Sequence, residues 1–339
     1  MTERIIVIGG SAGAIDALLR LAAALPVIHA RVFLAVHVPA TSVSALPAIL
    51  TRAGQMPARH PRDGDATEPG VIYVAPPDYH LLVKRGTVRI VRGPRENGHR
   101  PAIDPLFRSA AASYGSRVVA VVLSGNLDDG AAGARAVELA GGSVLVQHPD
   151  DAPYPSMPRN ALASAPSATP VPMLDMPAQL ARLLGAPLPE DTMPSGDSRQ
   201  QPSPDPVELD AIASEEYTKQ GRPTGLTCPE CHGGIFELDA AGMPHYRCRV
   251  GHAFTGDTLY VEQRVSLETA LWTALRALEE SAELATRLVR RASQRGQTGM
   301  ADTFRRNADV YLDRAKVIRE VLRDGLPDAG DGENAASGN

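Results

Sequence analysis

The chain has 339 residues, enough for two domains, and its 43% apolar and 22% charged residues are an ordinary balance for a protein with a hydrophobic core. A net charge of −5 and only 4% aromatic residues argue against a nucleic-acid-binding surface, because such a surface needs clustered cations or stacking rings. No secretory signal opens the sequence and no run reaches the roughly 18 apolar residues of a membrane-spanning helix, so we expect a cytoplasmic protein.

Short β-branched runs alternate with helical segments over the first 150 residues. The pattern predicts strands at 4–9, 32–38, 71–75, 87–91, 118–123 and 143–147, and helices at 15–25, 105–114 and 131–140. This alternation predicts an α/β fold with a mostly parallel, doubly wound sheet, covered by helices on both faces.

The composition changes in the second half of the chain. We predict a first domain over 1–185, a Pro/Ser-rich linker over 186–222, a small cysteine-containing unit over 223–256, an α-helical hairpin over 257–325 and a disordered tail over 326–339. The hairpin places leucines on roughly one side: Leu267, Leu271, Leu275, Leu278, Leu284 and Leu288. This stripe predicts an internal core, with a partner-binding face as the alternative.

Ser11 lies in a glycine-rich turn between the first predicted strand and the first helix. Such a turn exposes a hydroxyl at the carboxyl edge of the sheet, beside helix-start N–H groups that can hold an oxyanion. The alternative is a phosphate-binding loop for a dinucleotide. Ile8 stands where that loop needs its first glycine, and the second strand ends in His37 instead of an acidic residue, so the pattern favours a nucleophile.

His37 and a pair of acidic residues follow other predicted strands. His37 ends the second strand, and Asp128 and Asp129 follow strand 118–123. The carboxyl ends of adjacent parallel strands meet at one crevice, so Ser11 and His37 can come within hydrogen-bond reach. Taken alone, the histidine could be a polar strand end and an aspartate could cap the next helix.

Six sequence strings, taken in order, resemble one known family. They are IGGSAGA around Ser11, AVHVP around His37, YVAPPDYHLLV at 73–83, RPAIDPLFRSAA at 100–111, VLSGNLDDGAAG at 122–133 and MPRNALA at 157–163. Together, residues 1 to about 182 resemble the catalytic domain of the CheB protein-glutamate methylesterases of bacterial chemotaxis.

The resemblance implies a serine esterase with Ser11, His37 and Asp129 as its triad; Asp129 aligns in preference to Asp128 because Gly130 follows it. It also implies oxyanion contacts from the backbone at Ala12 and Asn126. The implied reaction releases methanol from glutamate methyl esters on chemoreceptor helices, with glutamine deamidation as a second activity and no catalytic cofactor. The implied partners are methylated receptors, so contact with a membrane would be only indirect.

Two departures from the family qualify the resemblance. The family usually has Thr-Gly-Met-Gly where this chain has Ser124-Gly125-Asn126-Leu127. Because leucine avoids a positive φ, we expect this loop to differ. The sequence also begins at the first catalytic strand, without the family's phospho-receiver domain, so we expect that phosphorylation of this chain does not gate activity.

All three cysteines lie in one segment that ends in a histidine. Cys228 and Cys231 form a C-x₂-C pair, and Cys248 and His252 follow as C-x₃-H. This spacing predicts a tetrahedral zinc ribbon, and four protein ligands make the site structural. His232 and His245 are weaker candidate ligands, and three unliganded cysteines are the alternative.

Three functional hypotheses therefore compete. The first is the methylesterase. The second is a catalytically degenerate signalling or scaffold module that binds a partner through the ribbon and hairpin. The third is a hydrolase of another acyl substrate.

Overall fold

The computed structural model describes residues 3–39, 44–186, 221–240 and 243–326. The predicted linker and tail lie almost entirely outside these ranges. The chain divides into two compact units, Met1–Leu259 and Tyr260–Asn339. Within the described ranges, no helix is both long and apolar enough to cross a membrane.

A parallel sheet of seven strands forms the centre of the first unit. In chain order its strands are β1 (Ile5–Gly10), β2 (Arg31–Val36), β3 (Ala58–Arg59), β4 (Ile72–Val74), β7 (Val118–Val122), β8 (Ser143–Gln147) and β9 (Thr169–Val171). Their order across the sheet is β3-β4-β2-β1-β7-β8-β9, and every pairing is parallel. Between β4 and β7 the chain forms a separate antiparallel hairpin, β5 (His80–Lys84) and β6 (Thr87–Val91). The predicted parallel α/β sheet is confirmed.

Six helices cover this sheet. They are α1 (Ala14–Ala24), α2 (Leu46–Ala53), α3 (Ile103–Tyr114), α4 (Ala131–Leu139), α5 (Ser156–Ser164) and α6 (Met176–Gly185). Buried residues of α1, α2 and α6 share one core with one face of the sheet. Buried residues of α3, α4, α5 and the β5–β6 hairpin share a second core with the other face. Both faces are covered, so β1 and β7 are buried along their whole length, as in other parallel sheets.

A small antiparallel sheet follows within the same unit. Its strands are β10 (Arg222–Thr227), β11 (Gly234–Ala240), β12 (Met243–Cys248) and β13 (Ala253–Phe254), paired in that order. Its core is small and includes Cys228, Cys248 and Phe254. We call residues 222–258 the Cys/His module.

The second unit is a pair of helices. Helix α7 (Gly256–Gln294) begins in the first unit and continues into the second, and α8 (Thr298–Asp324) follows after a short turn. Arg319 forms an ion pair with Glu279, and the Arg264 side chain donates to the Leu326 carbonyl, so the two helices run side by side in opposite directions.

Small residues line the contact between these helices. The buried positions are Leu275, Ala282, Ala285 and Ala292 on α7, and Ala301, Ala308 and Ala315 on α8. This seven-residue repeat is typical of a coiled coil. The predicted leucine stripe is partly wrong, because Leu267 and Leu284 are 50% and 58% exposed while alanines are buried.

Candidate active site

The carboxyl ends of three neighbouring strands bring together the residues singled out in the sequence. Ser11 follows β1, His37 follows β2 on one side of it, and Asp129 lies on the loop after β7 on the other side. The His37 N–H donates to the Gly10 carbonyl, and the Ser11 N–H donates to the Ser124 carbonyl. The sheet hydrogen bonding therefore extends one residue past the strands and places these side chains at one edge.

Ser11, His37 and Asp129 form a continuous line of hydrogen-bonding atoms. Ser11 Oγ lies 3.0 Å from His37 Nδ1, and His37 Nε2 lies 2.7 Å from Asp129 Oδ2. The His37 and Asp129 side chains are 7% and 2% exposed. An ionised carboxylate only accepts hydrogen bonds, so Nε2 carries the ring proton and Nδ1 is free to accept from the serine hydroxyl.

Four donors converge on the Asp129 carboxylate. Oδ2 accepts from His37 Nε2 and from the Ile103 N–H at 2.7 Å, and Oδ1 accepts from Asn97 Nδ2 at 3.0 Å and from the Asp104 N–H at 3.1 Å. Two of these donors are the first N–H groups of α3. Burial raises the pKa of Asp129, but the hydrogen bond and charge of His37 and the Ile103 N–H outweigh it and hold the pKa below its usual range.

Asp104, in α3, plays the corresponding role at the start of α4. Its Oδ1 accepts from the N–H groups of Gly130 and Gly133 at the start of α4. Asp129, which precedes α4, therefore caps α3, and Asp104, in the first turn of α3, caps α4. Burial and the adjacent charge of Asp129 raise the pKa of Asp104 well above its usual range, so the charge of the pair resides on Asp129.

His99 stacks on the His37 ring, with ring centroids 3.6 Å apart and an angle of 22° between the planes. Burial, together with the nearby His37, lowers the pKa of His99 to about 4. His99 is therefore neutral near pH 7 and supports the His37 ring without adding a like charge.

The turn that carries Ser11 is held by Ser124. The Ser124 hydroxyl donates to the Ala12 carbonyl and accepts from the Tyr154 N–H. The Gly125 backbone lies close to the Ser11 side chain. A Cβ built at Gly125 would lie only 2.9 Å from the Ser11 Cβ, so only glycine fits at this position. The Ala12 N–H, just before α1, has no hydrogen-bond partner among the described residues, and the next residue after Gly125 is the exposed Asn126.

The expectation that Leu127 avoids a positive φ is wrong. Leu127 has φ +59°, and its carbonyl accepts from Ser156 Oγ and Asn160 Nδ2 of α5. These two hydrogen bonds hold the left-handed conformation, which costs a non-glycine residue about 1–2 kcal/mol. The loop therefore adopts a backbone conformation suited to glycine although leucine occupies the position.

Cys228, Cys231, Cys248 and His252 also come together, with their ligand atoms all within 4.8 Å of one another. Cys228 Sγ lies 3.7 Å from His252 Nδ1, and Cys248 Sγ lies 3.6 Å from each of Cys231 Sγ and His252 Nδ1. The two weaker candidates lie elsewhere: His232 is exposed, and His245 is buried 3.9 Å from Glu96.

Four further residues of this region were not predicted from the sequence: Asn97, His99, Asp104 and Thr255. Asn97 and His99 directly precede the RPAIDP string, and Asp104 is a carboxylate inside it, on an otherwise apolar helix face. An acidic residue among the apolar residues at the start of this helix was the signal in the sequence that could have identified Asp104. Thr255 had none, because it lies more than 120 residues along the chain from Asp128, to which it donates.

The first half of the chain is similar in sequence to curated methylesterases. The protein-glutamate methylesterase/protein-glutamine glutaminase 1 of Rhodospirillum rubrum is 39% identical over 150 residues, which cover 43% of this chain and 39% of the relative. The protein-glutamate methylesterase/protein-glutamine glutaminase 5 of Anaeromyxobacter dehalogenans is 33% identical over 186 residues, which cover 54% of this chain and 51% of the relative. The chain thus spans about half or less of the length of these curated relatives.

A solved structure and a family model agree with these relatives. The crystal structure of the Thermotoga maritima CheB methylesterase catalytic domain matches with a TM-score of 0.50 and 28% identity, covering 54% of this chain and 100% of that one. The family model for CheB methylesterase matches residues 6–180, which is more than half of the chain. The chain belongs to the CheB methylesterase family.

Proposed function

We propose that the chain is a serine esterase that hydrolyses glutamate methyl esters on methyl-accepting chemoreceptor proteins and deamidates glutamine at the same site. The observation that carries the proposal is the line of hydrogen-bonding atoms from Ser11 through His37 to Asp129, at the carboxyl edge of a CheB-family domain. The names of the curated relatives supply the two substrate classes.

The proposed reaction begins with proton transfer from Ser11 Oγ to His37 Nδ1 as the oxygen attacks the ester carbonyl. Asp129 holds the ring through Nε2 and stabilises the imidazolium that forms. The free Ala12 N–H, and the backbone at Asn126, donate to the developing oxyanion. His37 then protonates the departing methoxide to give methanol, and water hydrolyses the glutamyl ester of Ser11 by the same steps.

We also propose that Cys228, Cys231, Cys248 and His252 bind one structural zinc ion. Zinc–sulfur bonds of about 2.3 Å in a tetrahedron place neighbouring sulfur atoms about 3.8 Å apart, close to the separations in this cluster. The four ligands leave no open position for a substrate. The ion would stabilise a module whose own apolar core is small.

The test compares wild type with Ser11→Ala, using Ser293→Ala as the matched control because Ser293 is exposed on α7. Methanol release from methylated receptor and hydrolysis of a generic ester are measured for each protein. We expect Ser11→Ala to abolish both activities and the control to retain them. Equal rates for wild type and Ser11→Ala would refute catalysis at this site, and ester hydrolysis without methanol release would refute the proposed substrate.

A further inference from the structure

The Cys/His module packs directly on the segment that leads into the active site. The Ala253 N–H donates to the Arg95 carbonyl at 3.2 Å, and the Asn97 N–H donates to the Ala253 carbonyl at 2.8 Å. Gly251, between two of the candidate metal ligands, has φ +105°, and a Cβ there would lie 2.7 Å from Pro94 Cγ. The metal-binding end of the module is therefore fitted closely against residues 94–97.

A buried charge cluster joins the two surfaces. Glu96 is fully buried and forms a two-pronged ion pair with Arg108 of α3. From the module, Arg247 and His245 each lie 3.9 Å from the Glu96 carboxylate, and both are 5% exposed. Removing the module would expose this cluster to water, so the packing is part of the fold of the first unit.

Asn97 connects the module to Asp129. Its Oδ1 accepts from the Thr255 N–H at 3.0 Å, while its Nδ2 donates to Asp104 Oδ2 at 3.1 Å and to Asp129 Oδ1 at 3.0 Å. A side-chain amide has a donor end and an acceptor end. Because the Thr255 N–H needs an acceptor, it fixes the amide orientation that turns the donor end toward the two carboxylates.

Asp128 provides a second connection. Its Oδ1 accepts from Thr255 Oγ1 at 2.7 Å and from Thr258 Oγ1 at 2.8 Å, and all three side chains are buried. Asp128 lies between Leu127, with its positive φ, and Asp129. The module thus holds the loop that carries the acidic member of the site as well as the amide that contacts it.

We propose that the Cys/His module is a positioning element for the catalytic machinery. Thr255 of the module orients Asn97, and Asn97 orients Asp129. Metal binding in the module therefore sets the turnover rate of the esterase. This inference rests on the proposed function of Ser11, His37 and Asp129. Asn97 acts through Asp129 and is therefore a positioning residue.

The first experiment replaces Asn97 in the full-length chain. Asn97→Ala removes both the acceptor for the Thr255 N–H and the donor to Asp129. We expect kcat on a generic ester to fall about 10- to 100-fold, as when a supporting hydrogen bond to an active-site ligand is removed, with KM and zinc content unchanged. The matched control is Asn307→Ala on the exposed side of α8.

The second experiment removes the metal, by a chelator from the wild type and by Cys228→Ser. We expect zinc content to fall from one to zero per chain, amide hydrogen exchange across 94–97 to accelerate, and kcat to fall together with zinc content. In Asn97→Ala, metal removal should cost a smaller factor in kcat than in wild type, because the connection is already broken.

Either of two results would overturn the proposal: Asn97→Ala keeping kcat within twofold of wild type, or metal-free protein keeping wild-type kcat. Ser11→Ala separates this failure from failure of the proposed function. If Ser11→Ala is inactive while Asn97→Ala and the metal-free protein are fully active, only the positioning role is wrong.

Discussion

Replacing Asp129 with asparagine tests whether one carboxylate serves both the reaction and the fold. Its two oxygens accept four N–H donors, two on each oxygen. An asparagine has only one acceptor oxygen, so either orientation turns its NH2 toward two donors. Each buried donor left unpaired costs about 1–3 kcal/mol. One donor is left if the NH2 faces His37 and the ring changes tautomer, and two are left if it faces Asn97, so Asp129→Asn should lower the free energy of unfolding by about 1–6 kcal/mol.

The effect on catalysis follows from the same geometry. If the NH2 faces His37, it needs an acceptor at Nε2 and moves the ring proton to Nδ1, where the base can no longer accept from Ser11. If the oxygen faces His37, the tautomer is kept but the negative charge is lost. We expect kcat to fall about 10⁴-fold, the loss that this change causes in Ser-His-Asp proteases.

Two measurements check this prediction: kcat on a generic ester, and denaturant unfolding at pH 7. Asp150→Asn is the control, because the Asp150 side chain is 86% exposed, and we expect it to change the free energy of unfolding by less than about 0.5 kcal/mol. The reasoning would be refuted if Asp129→Asn kept more than a tenth of the wild-type kcat, or unfolded within 1 kcal/mol (about the cost of a single unpaired donor) of wild type.

Two further predictions concern strain and acid sensitivity. Leu127→Val should be about 1–2 kcal/mol less stable to denaturant than Leu127→Asn, although valine is the more apolar residue. The reason is that a β-branched side chain tolerates φ +59° poorly, whereas asparagine tolerates it well. Equal stabilities of the two variants would contradict this. Burial lowers the pKa of His99 and of His245 to about 4. Below pH about 6.5 these histidines therefore bind protons in the unfolded chain but not in the folded chain. The free energy of unfolding should fall as the pH drops from 6.5 toward 4. Denaturation across this range should show a shallower loss for His245→Gln than for the control His29→Gln at an exposed site, and identical slopes would argue against the buried histidine as a cause.

Runs of apolar and β-branched residues made several strands predictable. Strands 87–91 and 143–147 coincide with β6 and β8, and the strongly apolar runs around β1 and β7 differ from prediction by one residue. Helices α2, α5 and α6 were not assigned. These helices have only 8, 9 and 10 residues, and a proline near the start of each, Pro47, Pro158 and Pro177, interrupts the helical signal. Helix α3 also has a proline near its start but is 12 residues long, and its pattern was recognised.

The candidate site was predictable where residues lie at strand ends, because parallel strands bring such positions together. Ser11, His37 and Asp129 follow this rule. The contacts of Asn97 and Thr255 do not, because they depend on how a distant module packs, and no local period or spacing encodes that. The choice between Asp128 and Asp129 came from the family resemblance and not from the residues themselves; in the structure the two side chains face opposite partners, Thr255 and His37.

The exchange of caps between α3 and α4 has a consequence for how this family can lose its chemistry. A lineage that no longer needs turnover can replace Ser11 at little structural expense, since that hydroxyl contacts only His37 among the described hydrogen bonds. It cannot discard Asp129 as freely, because the first two amides of α3 would lose their acceptor. Selection for folding alone would therefore keep the acid, and an inactive descendant would be recognised by its missing alcohol.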